Sequence, residues 1–253
     1  MNAEVDRDVP LRWKPLPILL VIVLGLGLPY VAAYAAIACS WLLHTPSPRG
    51  PRLPWLYVHH AFQLLVALIA IRLLQRVRPF DAGLRLPRPG ERYLWSAVAW
   101  GIAFAVIMTI VDYAPDLWAR RAPDLGFPLT RGNVIGWTLF EGVYVGPTEE
   151  VLFRSLLVGY LLAAMPGTFR CGRIRMSWAG VIVAAIFAFA HIENLIAHPS
   201  WATLGQQLYA FALGVLYAYW FERSRSVLAA IVGHNVGDVG EYLILFALNA
   251  LWR

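Results

Sequence analysis

Between Gly132 and Met165 the chain is apolar almost throughout, and this segment is too long for one straight crossing of a bilayer. As a helix it reaches about 50 Å, against a hydrocarbon core of about 30 Å. Glu149, Glu150 and Arg154 stand inside it. An ionised group at membrane depth costs at least about 2.5 kcal/mol, so such groups are paired, turned inward and tied to function. On a helix Glu150 and Arg154 lie one turn apart and can form an ion pair, whereas Glu149 points about 100° away. One carboxylate is thus accounted for by structure, and the other is left for chemistry. Gly146-Pro147 is the expected break, because proline has no amide to donate and clashes with the preceding turn. Both glutamates then fall in the first turn of a second half-helix, where free amides and the helix dipole favour negative charge.

The rest of the chain has the same character. Residues are 59% hydrophobic and only 14% charged, outside the range of soluble domains. Further apolar runs cover about 16–43, 55–74, 93–111, 176–196, 204–221 and 227–251, each of membrane-spanning length. The fold class is therefore all-α, a polytopic membrane bundle of seven transmembrane helices. The count becomes eight if Gly233, Gly237 and Gly240 split the last segment. Residues 1–15 read as a polar tail and 16–253 as one transmembrane domain. Between spans lie the Pro/Arg loop His44–Pro54, an arginine-rich loop with Arg76, Arg78, Arg85, Arg88 and Arg92, and a loop of balanced charge with Asp112, Asp116, Arg120 and Arg121.

The sequence pI of about 9.6 reflects arginines in short loops, most of them on the side of the N-terminus. That asymmetry places the N-terminus in the cytoplasm. No basic face or recognition motif points to nucleic acid. Cys39 and Cys171 have no CxxC partner and are expected to be free thiols. Ala36-Ile37-Ala38-Cys39 faintly resembles a lipoprotein cleavage site, but the apolar stretch before it is too long for a signal peptide, and the first span is read as retained.

Three pairs share the i, i+4 spacing that puts two groups on one helix face: Glu150 with Arg154, Phe187 with His191, and His234 with Asp238. Three helices can then aim polar groups at one cavity. A carboxylate and an imidazole suit the activation of water, and a second imidazole with a donor suits an oxyanion.

In this order the motifs EExxxR, FxxxH and HxxxD resemble those of the CAAX prenyl endopeptidase and bacteriocin-processing family, the CPBP or Abi intramembrane proteases. The resemblance spans about residues 130–240. It implies that Glu149 and His191 activate water for peptide-bond cleavage. It also implies that Glu150 and Arg154 act structurally or electrostatically, and that His234 with the residue four positions on forms the oxyanion site. That residue is usually asparagine and here is Asp238, so Asp238 either works as a neutral donor or orients His234. Asn235, about 100° round the helix, is read as a poor substitute. Ser155 also stands where a glycine commonly follows the arginine.

Blander assignments exist for each residue. Glu150–Arg154 alone is as readily a purely structural pair, and His191 alone a satisfied core histidine. His234 with Asp238 can simply tie helices together. His59, His60, Glu193, Asn194 and His198 read as interfacial, and most of the Trp and Tyr residues as an aromatic belt. A zinc site through Glu149, His191 and His234 is conceivable, but no HExxH is present and the resemblance implies a metal-free, cofactor-free mechanism. Counted from the expected helix ends, Glu149 and His191 lie about 22–24 Å deep and His234 about 10–13 Å.

The function read from the sequence is an intramembrane endopeptidase of a bacterial inner membrane. Its partners would be the bilayer and a membrane-anchored protein or peptide substrate. A non-catalytic scaffold or immunity factor and a proton-coupled transporter are the alternatives. A transporter would be expected to carry inverted repeats, and the sequence has no evident one.

Overall fold

The helix from Pro15 to Leu42 buries Val21, Gly25, Ala32 and Ala36 and leaves Leu16, Leu19, Val23, Tyr30 and Tyr34 facing outward. This is the pattern of a bundle whose solvent is lipid. In a computed structural model, residues 10–42, 52–87 and 93–252 are described. Most of the polar tail at 1–15, most of the His44–Pro54 loop, and Arg88 and Arg92 lie outside the described residues. The elements run α1 (Pro15–Leu42), α2 (Arg52–Val77), α3 (Leu94–Ala119), α4 (Arg131–Leu139), α5 (Val145–Glu150), α6 (Gly159–Ala164), β1 (Thr168–Cys171), β2 (Ile174–Ser177), α7 (Trp178–Phe189), α8 (Ile192–Ala197), α9 (Trp201–Ser224) and α10 (Leu228–Trp252). π-helical turns at Phe140–Tyr144 and Val151–Val158 join α4, α5 and α6 into one run.

The described residues thus hold seven long helical runs, counting α4–α6 and α7–α8 as one each. Four are long and apolar enough to cross a membrane: Pro15–Leu42, Leu53–Val77, Leu94–Ala119 and Trp178–Ala197. The protein is an all-α, multi-pass membrane bundle.

Two expected breaks are absent. The run from Arg131 to Ala164 passes through Pro147 without ending, because the π-helical turn before it loosens the ladder that the ring would otherwise clash with. The glutamates are therefore mid-helix and not at a half-helix start. Nor do the glycines split α10. They let it approach α3: a Cβ on Gly101 would meet the Gly233 carbonyl at 2.9 Å, one on Gly240 would meet Ala105 at 2.8 Å, and one on Gly237 would sit 3.7 Å from the Gly101 carbonyl. Small residues spaced four apart serve this close packing in membranes.

α3 runs into the expected loop as far as Ala119, so Asp112 and Asp116 are helical. Pro115 lies inside it, and the kink is at Tyr113 (φ −121°, ψ 19°). Residues 168–177 form an antiparallel hairpin in place of an irregular loop. Gly172, at φ 59°, makes its two-residue turn. Cys39 in α1 and Cys171 in β1 are both free.

Candidate active site

Glu150 is fully buried and accepts from Arg154 Nη1 at 3.0 Å, so the one-turn pair forms as its spacing predicts. The same oxygen, Oε1, also accepts from His234 Nδ1 at 2.7 Å. The Arg154 guanidinium lies over the rings of Phe187 (4.6 Å) and Tyr217 (5.1 Å). Its remaining Nε and Nη2 find no hydrogen-bond partner among the described residues, so the aromatic faces take up the charge. Tyr217 in turn stacks on His234 at 5.8 Å. α5, α7, α9 and α10 are thereby tied to one buried ion cluster.

His234 is held from both sides. Its Nε2 lies 3.1 Å from Asp238 Oδ2 and 3.9 Å from Glu149 Oε2. A ring whose two nitrogens both face carboxylates satisfies them best when both carry protons. His234 also stands at the level of the glutamates, which removes the expected difference in depth. Counting from helix ends had assumed that the ends share one plane.

Glu149 makes no hydrogen bond among the described residues, and its side chain keeps 18% of its surface open. It faces a cavity of about 320 Å³ that is also lined by His191, His234, Asp238 and Phe187. His191 sits just past the end of α7, where its Nδ1 donates to the Phe187 carbonyl at 2.9 Å. That bond fixes the tautomer and leaves Nε2 free. The motif phenylalanine has a second use, since its ring lies edge-on to His191 at 5.1 Å. The four residues expected to carry chemistry therefore line one cavity together with Phe187, and Glu150 and Arg154 stand behind them.

Residues 131–240, the stretch that contains every one of these side chains, match the model of a family described as Rce1-like, type II CAAX prenyl endopeptidase Rce1-like. This segment is similar to the Rce1-like family. It is a family of CAAX-type intramembrane proteases, and its model spans α4 through most of α10. No curated protein and no solved structure matches the chain.

Sequence reasoning missed three residues, Asn235 and Glu141 inside the matched segment and His60 outside it. Asn235, about 100° round the helix from His234, accepts at Oδ1 from the Gly146 amide at 2.8 Å. A side chain at 146 would collide with Asn235 and with the Ile231 carbonyl, so glycine is required there. His60 was read as interfacial. It is in fact buried and donates Nδ1 to Thr148 Oγ1 at 2.7 Å, because the Thr148 hydroxyl proton is committed to the Val145 carbonyl. His59 is half-buried against Trp55 and donates to the Pro29 carbonyl at 3.2 Å.

The third is Glu141, 8% exposed and lining the cavity. In a straight α-helix Glu141 and Glu149 differ by about 80°. The π-helical turn between them absorbs one residue and brings them within about 20°. A π-bulge has no sequence signature beyond the nearby proline. Ser155, the other departure, is buried and its Oγ has no partner among the described residues. Among those residues no three His, Cys, Asp or Glu side chains are grouped to hold a metal ion.

Proposed function

We propose that the chain is an intramembrane endopeptidase in which Glu149 and His191 activate water without a metal or other cofactor. The observation that carries this reading is the contrast between adjacent glutamates. Glu150 is consumed by Arg154 and His234, whereas Glu149 makes no hydrogen bond among the described residues and is open to the cavity that His191 also lines.

Water held between the two is deprotonated by Glu149 as its oxygen bonds to the scissile carbonyl carbon, and the carbonyl electron pair moves onto oxygen. The charge that develops is met by His234, which Glu150 anchors at Nδ1. Asp238 is a positioning residue that holds Nε2–H in the resting cavity, and the oxyanion competes for that proton. Collapse of the tetrahedral species breaks the C–N bond, and the proton taken by Glu149 passes to the leaving amine.

The substrate class is a membrane-anchored protein or peptide, cut in a bacterial inner membrane by a protein whose N-terminus is cytoplasmic. The arginine asymmetry between loops supports that orientation. The test is to incubate the reconstituted protein with a membrane-protein fraction in ¹⁸O-water and sequence the new termini. Hydrolysis predicts one ¹⁸O in each new carboxyl terminus, appearing only with active protein. No new termini above the protein-free control overturns the reading.

A further inference from the structure

The cavity carries more carboxyl groups than hydrolysis uses. Besides Glu149 and Asp238 its wall holds Glu141 and Glu241, and no lysine or arginine lines it among the described residues. Glu141 is nine-tenths buried and lines the cavity, and among the described residues no hydrogen bond or ion pair holds it there. Glu241 Oε1 is buried with no hydrogen-bond partner among the described residues. The donor best placed to help is Tyr209, which lines the same cavity, but it spends its hydroxyl proton on Asp112 Oδ2 at 2.9 Å. Arg154 is committed to Glu150 on the far side of His234.

Carboxyl groups left without a partner in such a place either stay neutral or are joined by a positive group. Trp137 and Tyr242 line the same wall, stacked at 5.2 Å, and aromatic rings attract cations. With no three-ligand group for a metal among the described residues, the complement is an organic cation.

We propose that Glu141 and Glu241, walled by Trp137 and Tyr242, form a subsite for a basic side chain of the substrate, an arginine or a lysine. The subsite rests on the endopeptidase reading and gives it a specificity. Glu141 lies on the helix face of Glu149, two turns N-terminal to it. The basic residue therefore sits a fixed number of positions from the bond that is cut.

The test has two arms. A peptide library is digested by the reconstituted protein and the cut sites are mapped. Arginine or lysine should be enriched at one position relative to the cut. The ratio of kcat/KM for a basic peptide to that for its neutral counterpart should fall about tenfold or more in Glu141→Gln and in Glu241→Gln. Cutting with no basic preference, or a preference that neither variant weakens, overturns the subsite. The second arm needs no turnover. Binding of N-acetyl-arginine amide and of its neutral isostere N-acetyl-citrulline amide is measured by thermal shift on Glu149→Gln protein. Stabilisation by the arginine amide alone, lost when Glu141→Gln is added, upholds the subsite even if no peptide is cut and the endopeptidase reading fails. Equal effects of the two amides, or none from either, overturn it.

Discussion

His234 Nδ1 lies 2.7 Å from Glu150 Oε1, the same oxygen that accepts from Arg154 Nη1 at 3.0 Å. One buried carboxylate therefore binds two cationic side chains from two helical elements, and loss of either partner leaves charge uncompensated.

Arg154→Ala is expected to lower stability by about 3–5 kcal/mol, the range for removing one partner of a buried pair. The vacated space between Phe187 and Tyr217 adds a cavity cost. Thermal unfolding in detergent measures this, and a midpoint equal to wild type contradicts the cluster. Glu150→Gln should cost less, because the amide oxygen can still accept from either neighbour.

Asn235→Ala tests the link between α10 and the run through Pro147. It strips the Gly146 amide of its side-chain acceptor, and an unsatisfied buried donor costs about 1–3 kcal/mol. Hydrogen exchange at Gly146 should quicken in the variant while the outer ends of α10 keep their protection. Unchanged exchange at Gly146 would show that the bond does not protect this amide.

Asp238→Asn separates the two roles open to that position. Because Asp238 faces His234 Nε2 at 3.1 Å, the variant removes the charge that steadies the doubly protonated ring. It is expected to lower kcat about tenfold or more with little change in KM. Activity equal to or above wild type would instead assign Asp238 the neutral-donor role.

Much of this cluster's geometry was legible because its residues stand at short helical spacings in apolar surroundings. Glu150 with Arg154, and His234 with Asp238, meet as i, i+4 geometry requires. Phe187 and His191 also meet, although the helix ends between them and the contact is backbone to ring. What escaped depends on backbone irregularity or on distant partners. Glu141 joins Glu149 only through a π-helical turn. Asn235 matters only because Gly146-Pro147 leaves an amide within its reach. His60 finds Thr148 across two helices, a pairing no local pattern encodes. The extension of α3 past Asp112 escaped as well, since Asp112 and Pro115 read as loop, yet Tyr209 donates to that carboxylate from α9.

Exhaustive chelation should leave peptide cleavage unchanged. A metal at this site would have to displace Glu150 or Asp238 from His234, whose nitrogens they occupy. Loss of activity with specific rescue by Zn²⁺ would reverse that expectation.

The central claim is that Glu149, and not its neighbour, is the base. Its direct measurement is the single-turnover cleavage rate of Glu149→Gln in proteoliposomes, with folding verified by an unchanged unfolding midpoint. The amide keeps the volume and hydrogen-bonding capacity but cannot accept the water proton. The account predicts a fall of about 10²–10⁴-fold. A Glu149→Gln protein that cuts at the wild-type rate would contradict it.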